Sequence, residues 1–114
     1  MKNTTDIGEK GEFYAREFLK NKGYEILFMN WRHKRSEIDI VAKDKNCVVF
    51  VEVKTRNNTA FGKPEEFVDK RKIKKMQEAA DAYIEQFNWH GELRFDIIAI
   101  EKNNKILHFE DAFY

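Results

Sequence analysis

The chain has 114 residues, of which 42% are hydrophobic and 14% aromatic, and this composition predicts one globular domain over residues 1–114. No apolar run approaches the roughly 20 residues that cross a bilayer, and residues 1–13 show no apolar signal core. A single cysteine, Cys47, excludes an internal disulfide. We therefore expect a cytoplasmic protein without a membrane span.

The net charge of +1 conceals an uneven distribution of charge. Residues 31–75 carry thirteen basic and seven acidic side chains, whereas residues 76–114 carry three basic and eight acidic ones. Clustered lysine and arginine side chains attract polyanions such as nucleic acid. The central segment is therefore the expected location of a binding surface.

The first half of the chain predicts one helix and three strands. The helix begins at a capping pattern with Asp6 as the N-cap and ends at Gly23, a natural C-terminal stop. Turn signals separate the apolar runs that follow, and the last two runs form a hairpin. The three predicted strands are residues 24–31, 36–43 and 47–55.

The second half predicts another helix and a second hairpin. The helix begins within residues 64–69 and ends near Phe87, and strands over residues 93–101 and 105–111 turn at Asn103–Asn104. Because a helix joins the third and fourth strands, they can lie parallel with a right-handed crossover. We predict an α/β fold with an αβββαβ core, a mixed sheet flanked by helices, and an extra C-terminal strand.

The third predicted strand, CVVFVEVKT, is the most apolar of the chain and yet contains Glu52 and Lys54. Side chains alternate along a strand, so these two charges share one face. A two-residue turn at Lys45–Asn46 would place Asp39 of the preceding strand directly opposite Glu52, on the same face. Two acids and an amine are then expected at one point of the sheet.

Two neighbouring carboxylates repel each other unless a cation lies between them. Mg²⁺ or Mn²⁺ suits two carboxylate oxygens, waters and a phosphate, and Lys54 could orient the attacking water or counter charge on phosphorus. In the alternative interpretation, Glu52 and Lys54 line an exposed strip, which an isolated E-x-K would favour. The apolar strand, the register of Asp39 and the surrounding basic segment favour a site for phosphodiester hydrolysis.

The order of Asp39, a hairpin and E-x-K resembles the core of the PD-(D/E)XK nucleases. More specifically, the chain resembles the YraN-like uncharacterised protein family from about Gly8 to Ile100, a family described as akin to Holliday-junction resolvases. The resemblance implies a restriction-endonuclease-like fold. One departure is Ser36, where the family usually has glycine. The stretches that carry the resemblance are GEKGEFYAREFLKNKGYEIL, NWR, EIDIVAKD, VVFVEVKTR, FGKPEEFVDKRKIKKM and RFDIIAI.

The resemblance also implies roles for particular residues. Asp39 and Glu52 would bind Mg²⁺ or Mn²⁺ together with the backbone carbonyl of Val53, and Lys54 would be the catalytic lysine. Glu12 matches a glutamate of the first helix that reaches the metal directly or through water. Considered without the family, Glu12 would be interpreted as a solvated helix charge.

Basic side chains around these acids are candidates for contacts with nucleic-acid phosphates. For the lysines of the second helix, a solvated helix face is the alternative. Arg56 and Lys70 are favoured because they also match family motif positions. The candidates are Arg32, Lys34, Arg35, Arg56, Lys63, Lys70 and Lys74.

The expected function is that of a metal-dependent endonuclease acting on DNA, including branched DNA of the Holliday-junction type. Resolvases act as symmetric pairs of subunits, so the resemblance implies a homodimer, although the sequence shows no clear dimer face. One alternative is a nucleic-acid-binding or partner-binding module that keeps the fold without cleaving. Another is a role on RNA, since phosphate chemistry does not reveal the sugar.

Overall fold

The computed structural model describes residues 4–55, 68–101 and 104–113, with side chains described from Lys10 onward. The predicted α/β order is confirmed, with strand bounds that agree with the predicted ones within two residues. The elements are α1 (Thr4–Asn21), β1 (Glu25–His33), β2 (Ser36–Asp44), β3 (Cys47–Thr55), α2 (Lys70–Phe87), β4 (Glu92–Ile100) and β5 (Ile106–Phe113).

The five strands form one mixed sheet in the order β1-β2-β3-β4-β5. β3 and β4 pair parallel, with Glu52 opposite Ile97, and the other neighbours pair antiparallel. The parallel pair follows from α2, which connects β3 to β4 and gives the chain room to cross over. This is the expected restriction-endonuclease-like core with a C-terminal strand added at the sheet edge.

The central strand β3 is buried on both faces, which explains its nearly continuous apolar sequence. α1 covers one face and α2 covers the other, so the two helices lie on opposite sides of the sheet. The cluster under α1 includes Ala15, Leu19, Val49 and Val51, and the cluster under α2 includes Val48, Phe50, Met76 and Tyr83.

The helix ends partly match their sequence signals. Asp69 is the N-cap of α2, its side chain accepting a 2.9 Å hydrogen bond from the Lys72 N–H. Gly23, with φ of 95°, follows α1 as predicted. The prediction of Asp6 as the N-cap is wrong, because α1 already begins at Thr4 and Asp6 lies in its first turn, where acidic residues are favoured. Neither of the two described helices is long and apolar enough to cross a bilayer.

The hairpin between β2 and β3 turns at Lys45–Asn46 as predicted, with Lys45 at φ of 57° and Asp44 paired with Cys47. The hairpin between β4 and β5 includes Asn104, whose N–H donates to the Glu101 carbonyl. Asn103, the other residue predicted for that turn, lies outside the described residues. Tight turns therefore set the register of both hairpins.

Gly91 lies where the chain entering β4 passes the turn between β2 and β3. A Cβ at this position would lie 2.6 Å from the Asn46 carbonyl oxygen and would overlap the Trp89 ring. The Asn46 carbonyl is held by a hydrogen bond from the Glu92 N–H, so the backbone has little freedom to move away.

We expect Gly91→Ala to lower the free energy of unfolding by about 1–3 kcal/mol, the usual cost of overpacking. Urea denaturation measures this change. Gly23→Ala is the comparison, because nothing lies within 4 Å of its added methyl group and only positive-φ strain opposes it. Equal stability of Gly91→Ala and the parent protein would contradict the expected clash.

Candidate metal and phosphate site

Asp39 lies at the point where β3 separates from β2. The pairing of the two strands runs from the hairpin turn to Ile40 opposite Val51, which makes Asp39 and Glu52 the next positions along the two strands. Here the Val53 N–H donates a 2.8 Å hydrogen bond to the Asp39 carboxylate. This bond orients the Asp39 side chain toward β3, as the predicted register required.

Glu52 is almost completely buried, with 4% of its surface exposed. Burial raises the pKa of Glu52 to about 8. The charge of the neighbouring Asp39 carboxylate and a side-chain hydrogen bond between the two acids add to this rise, while Lys72 and Lys54 oppose it. The structure therefore brings the two predicted acids together in a setting that disfavours two negative charges.

The route by which Asp39 reaches Glu52 differs from the simple alternation that the sequence suggested. Ile38 packs in the cluster under α2, whereas Ile40 packs in the cluster under α1. Strand alternation would place these two residues, which are two positions apart, on the same face. They lie on opposite faces instead, so the change of face occurs at Asp39. In the adjacent strand β1, Asn30 lies between the residues that pair with Ile40 and Ile38, and it has φ of 53°. Asp39 is consequently accessible to groups from both helical layers.

From the α1 side, Glu12 approaches Asp39. Glu12, Glu37 and Asp39 each offer a carboxylate oxygen, and these oxygens lie within 4.8 Å of one another. The neighbouring Gly11 is buried, and a Cβ there would lie 3.4 Å from Thr55, so the absence of a side chain lets α1 run close to the end of β3. Glu12 is half-buried at this point, and its role at a metal stays a prediction.

Two lysines flank the buried Glu52 carboxyl group. Lys54 Nζ lies 3.6 Å from Oε2, and Lys72 Nζ, from the first turn of α2, lies 3.6 Å from Oε1. These separations are ion-pair contacts but are too long for hydrogen bonds. Oε1 is fully buried and has no hydrogen-bond partner among the residues that the structure describes. An orphaned buried oxygen of this kind is costly unless something else binds it.

Glu37 and Lys72 are residues that sequence reasoning did not select for the site. Lys72 precedes the buried Met76 by four residues, so helical periodicity places it on the inward stripe of α2. Glu37 precedes Asp39 by two positions in the same strand. It also forms a 2.7 Å ion pair with Arg32, one of the predicted phosphate-binding residues.

The residues at this point fit a hard divalent cation. Among the described residues that meet here, the available ligand atoms are carboxylate oxygens, with no sulfur or imidazole, which suits Mg²⁺ or Mn²⁺ better than zinc. A bound cation would also relieve the repulsion between Asp39 and Glu52 and give the orphaned Oε1 a partner. Lys54 would remain beside the cation with 39% of its side chain exposed.

The predicted basic residues lie in several places. Arg32 is exposed and paired with Glu37. Lys34 and Arg35 line a groove between the β1–β2 turn and α2, and Lys70 and Lys74 are exposed on α2 outside that groove. Arg56 and Lys63 lie outside the described residues. Ser36, the departure from the family pattern, begins β2 in a regular pair with His33, and the positive φ of this turn falls on Lys34 instead.

A second polar cluster lies between β4 and β5, where Asp96, His108 and Glu110 offer ligand atoms within 4.8 Å of one another. The Arg94 guanidinium already forms two 2.9 Å hydrogen bonds to Asp96, and His108 Nε2 lies 2.7 Å from the same carboxylate. Burial would raise the pKa of Asp96, but the hydrogen bonds from His108, Arg94 and the Asp111 N–H lower it. This cluster is a satisfied ionic network, and its resident cation is the guanidinium.

The family described as "Uncharacterised protein family UPF0102" matches residues 11–100. A UPF0102 protein of Flavobacterium psychrophilum is 46% identical over 117 residues, covering 100% of this chain and 98% of its own length. A UPF0102 protein of Christiangramia forsetii is 44% identical with the same coverage. A third, from Persephonella marina, is 43% identical over 93% of this chain and 91% of its own. These matches confirm the resemblance to the YraN-like uncharacterised protein family, and the names of these relatives state no reaction.

Proposed function

The chain belongs to the uncharacterised protein family UPF0102, and we propose that it is a cytoplasmic, metal-dependent endonuclease of the PD-(D/E)XK type. Its substrate would be DNA phosphodiesters, including those of branched DNA. The observation that carries this proposal is the buried Glu52, which has an orphaned Oε1 and lies between Asp39 and two lysines.

This arrangement is unfavourable for folding, which supports a functional origin. A buried acid beside a second acid raises the free energy of the folded chain, and strongly perturbed acids of this kind concentrate at functional sites. A leucine or valine at position 52 would continue the apolar pattern of β3. The chain instead has an acid at this position, with the ammonium groups of Lys54 and Lys72 beside it.

The roles of the residues follow from their contacts. Asp39 and Glu52 would hold Mg²⁺ or Mn²⁺ with the Val53 carbonyl. Glu12 would bind the same ion directly or through a water. When bound, the ion would supply Lewis acidity that activates water and neutralises phosphate charge. The Val53 N–H fixes the orientation of Asp39. Lys54, partly exposed beside Glu52, would donate hydrogen bonds to a phosphate oxygen or to the attacking water.

We expect Asp39→Asn to abolish Mn²⁺ binding. In the parent protein, binding is measured by the loss of the amide signals of Asp39, Glu52 and Val53 near the paramagnetic ion. Lys54→Ala should keep Mn²⁺ binding and lower the nicking rate of duplex and branched DNA by about 100-fold or more, the usual loss for a removed transition-state contact. Asp44→Asn, at the opposite end of β2, is the matched control and should retain both properties.

Two outcomes would redirect the interpretation. DNA binding without any response to divalent ions would favour the non-catalytic nucleic-acid-binding module and overturn the endonuclease. Metal-dependent cleavage of RNA with intact DNA would keep the mechanism and change the substrate, because the contacts at the site do not distinguish ribose from deoxyribose.

A further inference from the structure

A groove with basic walls lies between the β1–β2 turn and α2. One wall is the β1–β2 turn, with His33, Lys34, Arg35 and Ser36, and the other wall is α2, with Lys75 and Glu78. Lys34, Arg35 and Lys75 are exposed. The groove thus presents three permanent cations and one acid, on the side of the sheet that α2 covers.

Lys72 extends this basic surface into the site. It precedes Lys75 by three residues on α2, so the two side chains lie one turn apart on one face of the helix. Its side chain is 33% exposed while its Nζ lies 3.6 Å from Glu52 Oε1. Because that contact is too long for a hydrogen bond, it does not use the donors of the ammonium group, which can bind a further anion.

We propose that the nucleic-acid backbone lies along this groove, with Lys75 and Lys72 binding successive phosphates and Lys72 seating the phosphate nearest Glu52. This inference rests on the proposed function and assigns the path of its substrate. A single small anion would need one cluster of donors, whereas these cations are spread over the two walls of the groove, and Lys72, one helical turn from Lys75, contacts Glu52. Such a distribution complements a row of phosphates.

The proposal separates two pairs of lysines on the same helix. Lys72 and Lys75 lie along the groove and the site, whereas Lys70 and Lys74 are exposed and do not line the groove. The pairs carry equal charge and belong to the same two turns of α2. Both double substitutions therefore remove the same charge from α2, and they differ only in where the lost lysines lie relative to the groove.

The test is DNA binding by the double variants Lys72→Met/Lys75→Met and Lys70→Met/Lys74→Met. Fluorescence anisotropy with labelled duplex and branched DNA, over a salt series in EDTA and again in Ca²⁺, gives the dissociation constant without requiring cleavage. For Lys72→Met/Lys75→Met, the slope of log affinity against log salt should fall by about two, roughly one per lost phosphate contact. For Lys70→Met/Lys74→Met, whose lysines are phosphate-binding candidates from the sequence but lie outside the groove, the slope should fall by less than for the groove pair.

Two further variants sharpen the result. Glu78→Gln removes the acid of the groove and should tighten binding, and Lys72→Arg, which keeps the charge, should restore the parent slope. Thermal melting of each variant identifies any loss of folding. Equal losses for both lysine pairs, or an unchanged slope for Lys72→Met/Lys75→Met, would overturn the proposed path.

The outcomes for the path and for the nuclease are distinguishable. Groove-dependent DNA binding without metal-dependent cleavage would support the path and remove the proposed activity. Cleavage that persists with both lysine pairs equally dispensable would support the activity and remove the path. A parent protein that binds no DNA in either EDTA or Ca²⁺ would overturn the path as well.

Discussion

Glu52→Gln is expected to make the metal-free protein more stable at pH 8 while abolishing divalent-ion binding and any metal-dependent cleavage. Glutamine keeps the shape of the side chain and removes the acid that Asp39 repels. The Lys54 and Lys72 side chains are 39% and 33% exposed, so their ammonium groups can turn to water once the carboxylate is gone. Opposite changes in stability and function are the signature of a residue retained for activity.

The pH dependence gives this prediction its sign. Glu52 has an ordinary pKa of 4.5 and a folded-state pKa of about 8. Between these values the unfolded chain releases the proton while the folded protein holds it, so stability is fully present below pH 4.5 and is lost as the pH rises toward 8. The slope from this group is at most about 1.4 kcal/mol per pH unit.

The measurement is urea denaturation of the parent protein and Glu52→Gln in EDTA between pH 5 and pH 8.5. The difference in the free energy of unfolding should grow with pH in favour of Glu52→Gln and should become small toward pH 5. A pH-independent difference would mean that Glu52 is ionised throughout this range.

Arg94→Met is expected to produce the largest loss of stability, about 3–5 kcal/mol, because it removes the charged partner of a completely buried acid. Asp96 has no exposed surface and accepts two hydrogen bonds from Arg94. Arg94 also contacts the Tyr24 hydroxyl at 2.6 Å and Glu110 at 3.4 Å, so several groups lose a partner together.

Urea denaturation at pH 7 measures this loss, and Arg94→Met/Asp96→Asn is the matched comparison. The double variant should recover part of the stability, because it removes the uncompensated charge while asparagine can still accept hydrogen bonds from His108 and the Asp111 N–H. A cost below about 1 kcal/mol for Arg94→Met would show that Asp96 takes up a proton or finds another partner.

Local patterns were sufficient to predict the elements and much of the site. The two-residue turn at Lys45–Asn46 fixed the register of β2 against β3, and that register makes Asp39 and Glu52 the positions that follow the last pair of the two strands. The apolar run of β3 followed from its burial on both faces. Glu12 needed the family resemblance, because its place at the site depends on how closely α1 packs against the sheet beside Gly11.

The remaining features depend on contacts between residues that are distant in the sequence. The change of face at Asp39 accompanies an unusual backbone conformation at Asn30 of β1, which strand periodicity does not reveal. Lys72 is one of five basic residues within residues 70–75. Which of them point toward the sheet depends on how α2 packs, and the sequence of this segment does not show it. The Arg94–Asp96–His108 network requires the pairing of β4 with β5, and its members look unrelated along the chain.

The site also joins two layers of the protein that otherwise share only the sheet. Glu12 comes from the helix on one side and Lys72 from the helix on the other, and both reach the gap where β2 and β3 diverge. A cation and a phosphate held there would cross-link these layers through ionic contacts. Amide hydrogens in both helices should then exchange more slowly in the complex with cation and nucleic acid, because one bound substrate stabilises both helical layers at once.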